Sequence, residues 1–319
     1  MPLNYNNNCD DTQYTTFYKV CEEGNYEIIK LLLNFDKINF KDKIDVINDP
    51  FYMSPFYIIC SKYNYKLLKL FLEKYRDLDY NLPYEGKTPF YIFCSTGNYK
   101  EIKLFLQTPN YIDYNLSYNG KTPFFIACYS GHNKVVKLLL ETSKNIEYNT
   151  LFEGKTPFLI ACYNGHNKVV KLLLETSKNI EYNTLFEGKS PLFIACTFGY
   201  DKVVKLLLET SKNIEYNILF EGNSPLFIAC AYGHDKVVKL LLETSKNIEY
   251  NILFEGKSPV YIACAYGHDK VVKLLLETSK NIEYNILFED KTPFYIASIY
   301  NHDKVVKLLL DTSKNIKYY

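Results

Sequence analysis

Apolar and polar residues follow a pattern along the chain that recurs every 34 residues. One copy opens with Thr122-Pro123, continues through the apolar stretch 124–128 and reaches Gly131. A second stretch, 133–141, places Val and Leu residues at helical spacing and Lys and Glu residues between them. Each copy is therefore predicted to form two short helices joined by a tight turn.

Local signals define the ends of these helices. The Thr122 hydroxyl can accept a hydrogen bond from a free amide of the first turn, and Pro123 suits the first helical position because its missing N–H costs nothing there. Gly131 is predicted to end the first helix because glycine tolerates the left-handed conformation. After the second helix, residues 145–151 predict an extended return and Glu153-Gly154 a tight turn.

The period divides the chain into nine repeats. A Thr-Pro or Ser-Pro opening occurs eight times, and a diverged first copy around Thr15-Thr16-Phe17 is followed by a loop about five residues longer. Because two short helices cannot bury so much apolar surface alone, neighbouring repeats are expected to stack into a solenoid. Residues 1–11 are predicted to be a disordered segment before a repeat domain at 12–319. The predicted repeats are about 12–49, 50–83, 84–117, 118–151, 152–185, 186–219, 220–253, 254–287 and 288–319.

Composition and charge exclude several functional classes. The chain has 37 Lys plus Arg against 36 Asp plus Glu, and Arg76 is its single arginine. This balance offers no field that attracts nucleic acid, so no nucleic-acid partner is predicted. No apolar run approaches the length of a membrane span. The first 20 residues show no secretion signal and the free thiols suit a reducing compartment, so a cytoplasmic location is expected, with the nucleus left open.

The nine cysteines raise the question of metal or disulfide chemistry. Eight of them, from Cys21 to Cys264, occupy one slot of the first helix, which Ser298 fills in the last repeat. Stacked helices lie about 8–10 Å apart, too far for a disulfide, so these residues are predicted to be small buried hydrophobes. Cys128 and His132 have a metal-like spacing, but a glycine interrupts the helix between them. We predict no metal, no cofactor and no catalytic site.

The repeats resemble the ankyrin repeat family. The resemblance rests on Gly154-Lys155-Thr156-Pro157, Ala161-Cys162, Gly165-His166 and the stretch 169–174, and it extends over residues 12–319. It implies an all-α ankyrin-repeat solenoid of stacked helix-turn-helix units with β-hairpin-like fingers. It also implies a non-catalytic protein that binds a protein or peptide through a concave groove and the fingers.

This sequence departs from the family two residues after the Pro, where the family usually has His. An apolar contact is expected in place of the hydrogen bond of that His. The residues at this position are Phe125, Leu159, Phe193, Phe227, Tyr261 and Tyr295. A further implication of the resemblance concerns Asn149 and its equivalents, because the matching Asn can be hydroxylated in the family.

The positions that vary most between repeats are the two that follow the Cys slot. By the resemblance, this edge lines the concave groove, and aromatic residues there are typical interface hot spots. We predict a stripe of partner-binding rings, the alternative being that the rings pack on neighbouring helices. The stripe comprises Tyr129, Tyr163, Phe198, Tyr232, Tyr266 and Tyr300.

The fingers carry a recurring aromatic residue of their own. Because identical residues at a regular step usually contact each other, these rings are predicted to stack on one another as part of the structure. They are Phe152, Phe186, Phe220 and Phe254.

The two ends of the repeat array differ. Lys19 and Glu22-Glu23 give the first repeat the polar character of a cap. The last repeat keeps an apolar second helix, including Val305 and Val306, although no further repeat follows it here. This uncapped C-terminal repeat is therefore expected to fray, to self-associate, or to have once continued into more chain.

Two other functions remain open from the sequence. The protein could serve as an adaptor that recruits a substrate to a larger complex such as a ubiquitin ligase, although no second recruiting module is found outside the repeats. A structural spacer without a specific partner is the other alternative, which the near-identity of the repeats favours.

Overall fold

The computed structural model describes residues 10–34, 55–62, 64–75, 79–109, 111–278, 280–312 and 316. The chain divides into two compact units, Met1–Phe152 and Glu153–Tyr319, and each is a stack of helix pairs. The first helix begins at Asp10, so the last two residues of the predicted disordered segment 1–11 are helical. Residues 1–9, and the longer loop predicted within 35–54, lie outside the described residues.

Within each unit, the first helices of successive repeats pack on each other, and so do the second helices. The helices of the first unit are α1 Asp10–Glu23, α2 Tyr26–Leu33, α3 Pro55–Ser61, α4 Tyr65–Lys74, α5 Pro89–Thr96, α6 Tyr99–Gln107, α7 Pro123–Tyr129 and α8 Asn133–Glu141. Those of the second unit are α9 Pro157–Tyr163, α10 Asn167–Glu175, α11 Pro191–Thr197, α12 Asp201–Glu209, α13 Pro225–Ala231, α14 Asp235–Glu243, α15 Pro259–Ala265, α16 Asp269–Glu277, α17 Pro293–Ile299 and α18 Asp303–Asp311.

The predicted helix-end signals are confirmed in α7. The Thr122 hydroxyl accepts from the Phe125 N–H at 3.2 Å, and a proline stands at the first helical position. Gly131 has a φ of 72°. Its N–H donates to the Cys128 carbonyl at 3.2 Å, and the next N–H, of His132, donates to the Ala127 carbonyl at 3.0 Å. This pair of bonds is a Schellman motif, which satisfies carbonyls at the end of the helix.

The second helices are amphipathic, as predicted. In α8, Val135, Val136 and Leu139 are buried, but Leu138 is only half-buried because it lies on the flank of the helix. On the outer face, exposed Lys and Glu residues pair at a spacing of four, with Lys–Glu distances between 3.7 and 3.8 Å. Such exposed pairs add little stability and keep this face in solvent.

The repeated cysteines are small buried core residues, as predicted. Cys21, Cys128 and Cys230 are fully buried free thiols on the first helices. Burial raises the pKa of the Cys21 thiol to about 12, and it raises the pKa of Cys128 further, because a thiolate would lose its solvation. The neutral thiols therefore contribute packing rather than reactivity.

Each finger is a two-residue turn closed by one antiparallel bridge. Glu221 and Gly222 have φ values of 49° and 80°, the positive pair that a type I′ turn requires. Phe220 and Asn223 flank them, and each donates its N–H to the carbonyl of the other, at 3.1 and 2.8 Å. The fingers are thus the shortest form of the predicted hairpin.

Asparagines join successive repeats. They lie in the extended return segments, which run from the end of each second helix to the next finger. The Asn217 side chain donates from Nδ2 to the Asn247 carbonyl at 2.8 Å, and its Oδ1 accepts from the Glu249 N–H at 3.1 Å. The same two bonds are made by Asn81, Asn115, Asn183 and Asn251. One amide group therefore holds the backbone of the next return segment at two points.

Histidines make a second bond between repeats. His268 Nε2 donates to the Ala231 carbonyl of the preceding repeat at 2.9 Å, although His268 makes no side-chain cap bond to its own helix. Its ring lies over Gly233, where a Cβ atom would come within 2.6 Å of Nδ1. Equivalent bonds are made by His132, His234 and His302. These histidines therefore pack between repeats and make no side-chain cap bond to their own helices.

We expect Asn217→Ala to lower the free energy of unfolding by about 1–3 kcal/mol, because two hydrogen bonds between repeats are lost. Asn217→Asp keeps the acceptor for the Glu249 N–H and loses the donor, so we expect an intermediate loss. Urea denaturation followed by circular dichroism measures both variants. Equal stability of wild type and Asn217→Ala would show that these bonds do not hold the repeats together.

We expect Gly233→Ala to be more destabilising than Gly24→Ala. Both glycines have a φ of 70°, but nothing lies within 4 Å of a Cβ at Gly24, whereas His268 occupies that space at Gly233. Backbone strain costs about 1–2 kcal/mol in either variant, and steric overlap adds about 1–3 kcal/mol at Gly233 alone. Melting temperatures test this difference. Equal decreases in melting temperature would mean that the contact of His268 with Gly233 does not contribute to stability.

Candidate partner-binding groove

The predicted stripe occupies two neighbouring helix positions rather than one. Tyr129 and Tyr163 are the last residues of α7 and α9. The other members stand one residue later in their repeats, at the C-cap position, as Tyr232 does after α13. Because successive helical residues point about 100° apart, the two sets of rings face different neighbours.

Rings at the C-cap position are the more exposed set in the second unit. Tyr232, Tyr266 and Tyr300 are 57%, 60% and 59% exposed. Tyr163 is half-buried, since its ring meets Phe198 at 5.3 Å and Phe186 at 6.1 Å between centroids. Packing on neighbours, the alternative considered from the sequence, therefore describes Tyr163, whereas the three exposed tyrosines stand free for contact.

The exposed tyrosines are held by the histidines that join the repeats. The Tyr232 ring lies parallel to His234, with 6.0 Å between centroids and 27° between planes. His234 itself is fixed by its bond to the Thr197 carbonyl at 3.0 Å. Tyr266 has a similar contact with His268 at 6.1 Å. The histidine contacts therefore orient the exposed tyrosine rings.

A cavity of about 760 Å³ opens beside two of these tyrosines in the second unit. It lies between the ends of the first helices and the fingers of the repeats 220–253 and 254–287. Its lining includes Asn223, Phe227, Ala231, Tyr232, Phe254 and Tyr266. Glu255, Lys257 and His268 also line it, so the cavity combines apolar and polar side chains, the usual character of a recognition site.

Contrary to the prediction, the finger rings contact rings of the helices and not one another. Phe220 packs edge-on against Phe193 of the preceding repeat, with 5.6 Å between centroids. It also lies over Gly188 of the preceding finger, 3.3 Å from the position a Cβ would take. These rings are part of the structure. Phe152, Phe220 and Phe254 pack on the helix rings that replace the family's usual His, which confirms the apolar contact expected there. Phe186 instead meets Tyr163, because the residue at the His position of its neighbour is Leu159.

The described residues contain no group of three or more His, Cys, Asp or Glu side chains that could hold a metal ion. In the same part of the chain, no helix is both long enough and apolar enough to cross a membrane.

Asn223 and Phe254 were not predicted as site residues. A signal for Asn223 was present in the sequence, because the fingers carry Lys at this position from Lys87 to Lys291 and only this one carries Asn. The consequence of this Asn depends on the contact between each finger lysine and the aromatic ring of the next finger, which the sequence alone does not show.

Comparison with known protein families identifies the class of protein. The family model described as ankyrin repeats in three copies matches residues 56–151, 142–219, 158–253 and 226–318. The chain belongs to the ankyrin repeat family, whose domains generally act as protein–protein interaction modules. No curated protein sequence matches it significantly.

Solved structures with a similar fold are ankyrin repeat domains. The ankyrin repeat domain of Bcl-3, described as a unique member of the IkappaB protein family, has a TM-score of 0.54 and 24% identity. The match covers 70% of this chain and 99% of that domain. The human ASB11 ankyrin repeat domain gives the same TM-score and identity, with 72% and 99% covered. At this identity the likeness concerns the fold.

Proposed function

We propose that this protein is a non-catalytic interaction module that holds a protein or peptide in the groove beside Tyr232 and Tyr266. The observation that carries the proposal is the cavity of about 760 Å³ next to these exposed rings. Fingers and helix ends supply its walls, as expected for an ankyrin protein that binds through its concave side.

The geometry of the rings favours binding. Tyrosine buries a large area and loses little conformational entropy, because it has only two side-chain torsions. Contacts with His234 and His268 restrict those torsions in advance, which reduces the cost of ordering the groove on binding. A ring that is already oriented and still exposed can give most of its contact area to a partner.

The C-terminal repeat supports a second interaction. Tyr295 and Leu310 are exposed, whereas their equivalents one repeat earlier, Tyr261 and Leu276, are buried under the repeat that follows. We infer that a second copy of the chain covers this surface, which would bury the same side chains.

A double replacement, Tyr232→Ala with Tyr266→Ala, should weaken peptide binding at least about tenfold, because interface hot spots lose more than about 1 kcal/mol each on truncation. Peptides selected from a random phage-displayed library on the wild-type chain serve as the probe, with affinity measured by fluorescence anisotropy. The urea denaturation curve should stay nearly unchanged, since both rings are exposed.

Tyr163→Ala is the matched control, because its half-buried ring packs on two neighbours. It should lower stability more than the double replacement does and affect selected peptides less. Binding that survives the loss of Tyr232 and Tyr266 would place the binding surface elsewhere and contradict this groove.

For self-association, Leu310→Lys should raise the dissociation constant of the dimer at least about tenfold, because a buried leucine contributes about 1.5–3 kcal/mol. Sedimentation velocity over a concentration series measures the change. Leu31→Lys alters another exposed leucine, in the first repeat, and should leave self-association unchanged. A wild-type chain that stays monomeric throughout the series would exclude this interaction.

A further inference from the structure

In most fingers, the residue that follows the turn is a lysine. The ammonium of this lysine lies over the aromatic ring of the finger in the next repeat. Lys189 Nζ stands 4.5 Å from the centroid of the Phe220 ring. The other pairs are Lys87 with Tyr118 at 4.9 Å, Lys121 with Phe152 at 4.6 Å, Lys155 with Phe186 at 3.4 Å and Lys257 with Phe288 at 4.7 Å. All lie within the range of cation–π attraction.

One finger lacks this lysine. At the equivalent position, Asn223 is too short to reach the next repeat, and its Nδ2 donates to the Phe220 carbonyl of its own finger at 3.2 Å. The ring it would have covered, Phe254, is placed as in the other repeats. It packs on Phe227 with 5.5 Å between centroids and 64° between planes, against 5.6 Å and 62° for Phe220 on Phe193. The aromatic face is therefore formed, and no lysine of the finger covers it.

The glutamate of this finger also lacks the lysine with which its equivalents pair. In three other fingers the lysine pairs with the glutamate two residues before it, at 3.1–3.4 Å. Glu221 is the equivalent glutamate of the finger that ends at Asn223, and no ion pair to it occurs among the described residues. Lys257 and Glu255 also line the cavity, and they pair with each other at 3.1 Å, so this pair adds no net charge to the cleft.

A second small residue makes room above the ring. Lys121 and Lys155 also lie over Tyr129 and Tyr163, at 5.5 and 5.7 Å. At the position of those tyrosines, the repeat 220–253 has Ala231. Among the described fingers with a following repeat, this one alone combines a missing lysine with an alanine, and the cavity of about 760 Å³ lies there.

We propose that this cleft, lined by Asn223, Phe227, Ala231 and Phe254, binds the ammonium group of a lysine side chain from a protein partner. The inference rests on the proposed function and names what the groove recognises. In other repeats the chain's own lysine lies over the finger ring. The incoming lysine takes the equivalent position here, over the Phe254 ring and beside Glu221. Its aliphatic stem lies against the apolar wall.

The neighbouring repeat 254–287 also supplies a matched test. Repeats 220–253 and 254–287 differ at three positions, Asn223/Lys257, Leu226/Val260 and Phe227/Tyr261. Asn223→Lys fills the cleft with the residue that other fingers carry, so the fold should be retained. Adding Lys257→Asn opens an equivalent cleft one repeat further on, over Phe288 and beside Glu255, with Ala265 in place of Ala231.

The experiment uses peptides selected from a random phage-displayed library on the wild-type full-length chain. We expect the selected peptides to share a lysine whose replacement by norleucine, which keeps the stem and removes the charge, weakens binding about tenfold. Asn223→Lys should weaken binding by a similar factor. Asn223→Lys with Lys257→Asn should restore it, and denaturation curves of all variants should match.

The outcomes separate this inference from the proposed function. Peptides that need Tyr232 and Tyr266 but bind Asn223→Lys, or carry norleucine, without loss would overturn the lysine site and leave the groove intact. Equal or tighter binding of arginine versions would also overturn the assignment to lysine. Peptides that bind wild type no better than the double tyrosine variant would overturn both proposals.

Discussion

Everything in each unit depends on the register between one repeat and the next, and side-chain amides set that register. The Asn217 side chain holds a carbonyl and an N–H of the next return segment at once, so the next repeat can neither slide nor rotate without breaking a bond. The bonds from His234 and His268 to preceding carbonyls fix a second point near the helix ends. Where a repeat carries both residues, two attachment points turn short helices, marginal on their own, into a regular stack.

The groove is a consequence of that register. Once the helix ends are aligned, each C-cap tyrosine lies beside a histidine that is already fixed, so the ring is exposed and oriented at the same time. The finger aromatic seats on the glycine of the preceding turn, as Phe254 does on Gly222, which puts a flat apolar face opposite the helix ends. The proposed recognition surface thus consists of residues one step outward from those that hold the repeats together.

The sequence predicts the local features well and the contacts between repeats poorly. Thr122, the following proline, Gly131 and the buried cysteines act within a few residues of their position, so the pattern alone predicts their roles. The bonds of Asn217 and His268 join residues 30 to 37 apart, and nothing local marks them. The stripe was predicted as one set because Tyr129 and Phe198 occupy adjacent positions in the period, although a helix turns neighbouring residues toward different surroundings.

The attachment through Asn217 and its equivalents has a consequence for the length of the protein. The groups that receive the amide are backbone atoms, which every residue has, and the helix-end carbonyls that receive the histidines are backbone atoms too. A chain that gained or lost a whole 34-residue module would make the same bonds across the new junction as across the old one. The copy number can therefore change without any compensating substitution, and with it the reach of the molecule and the number of sites it displays.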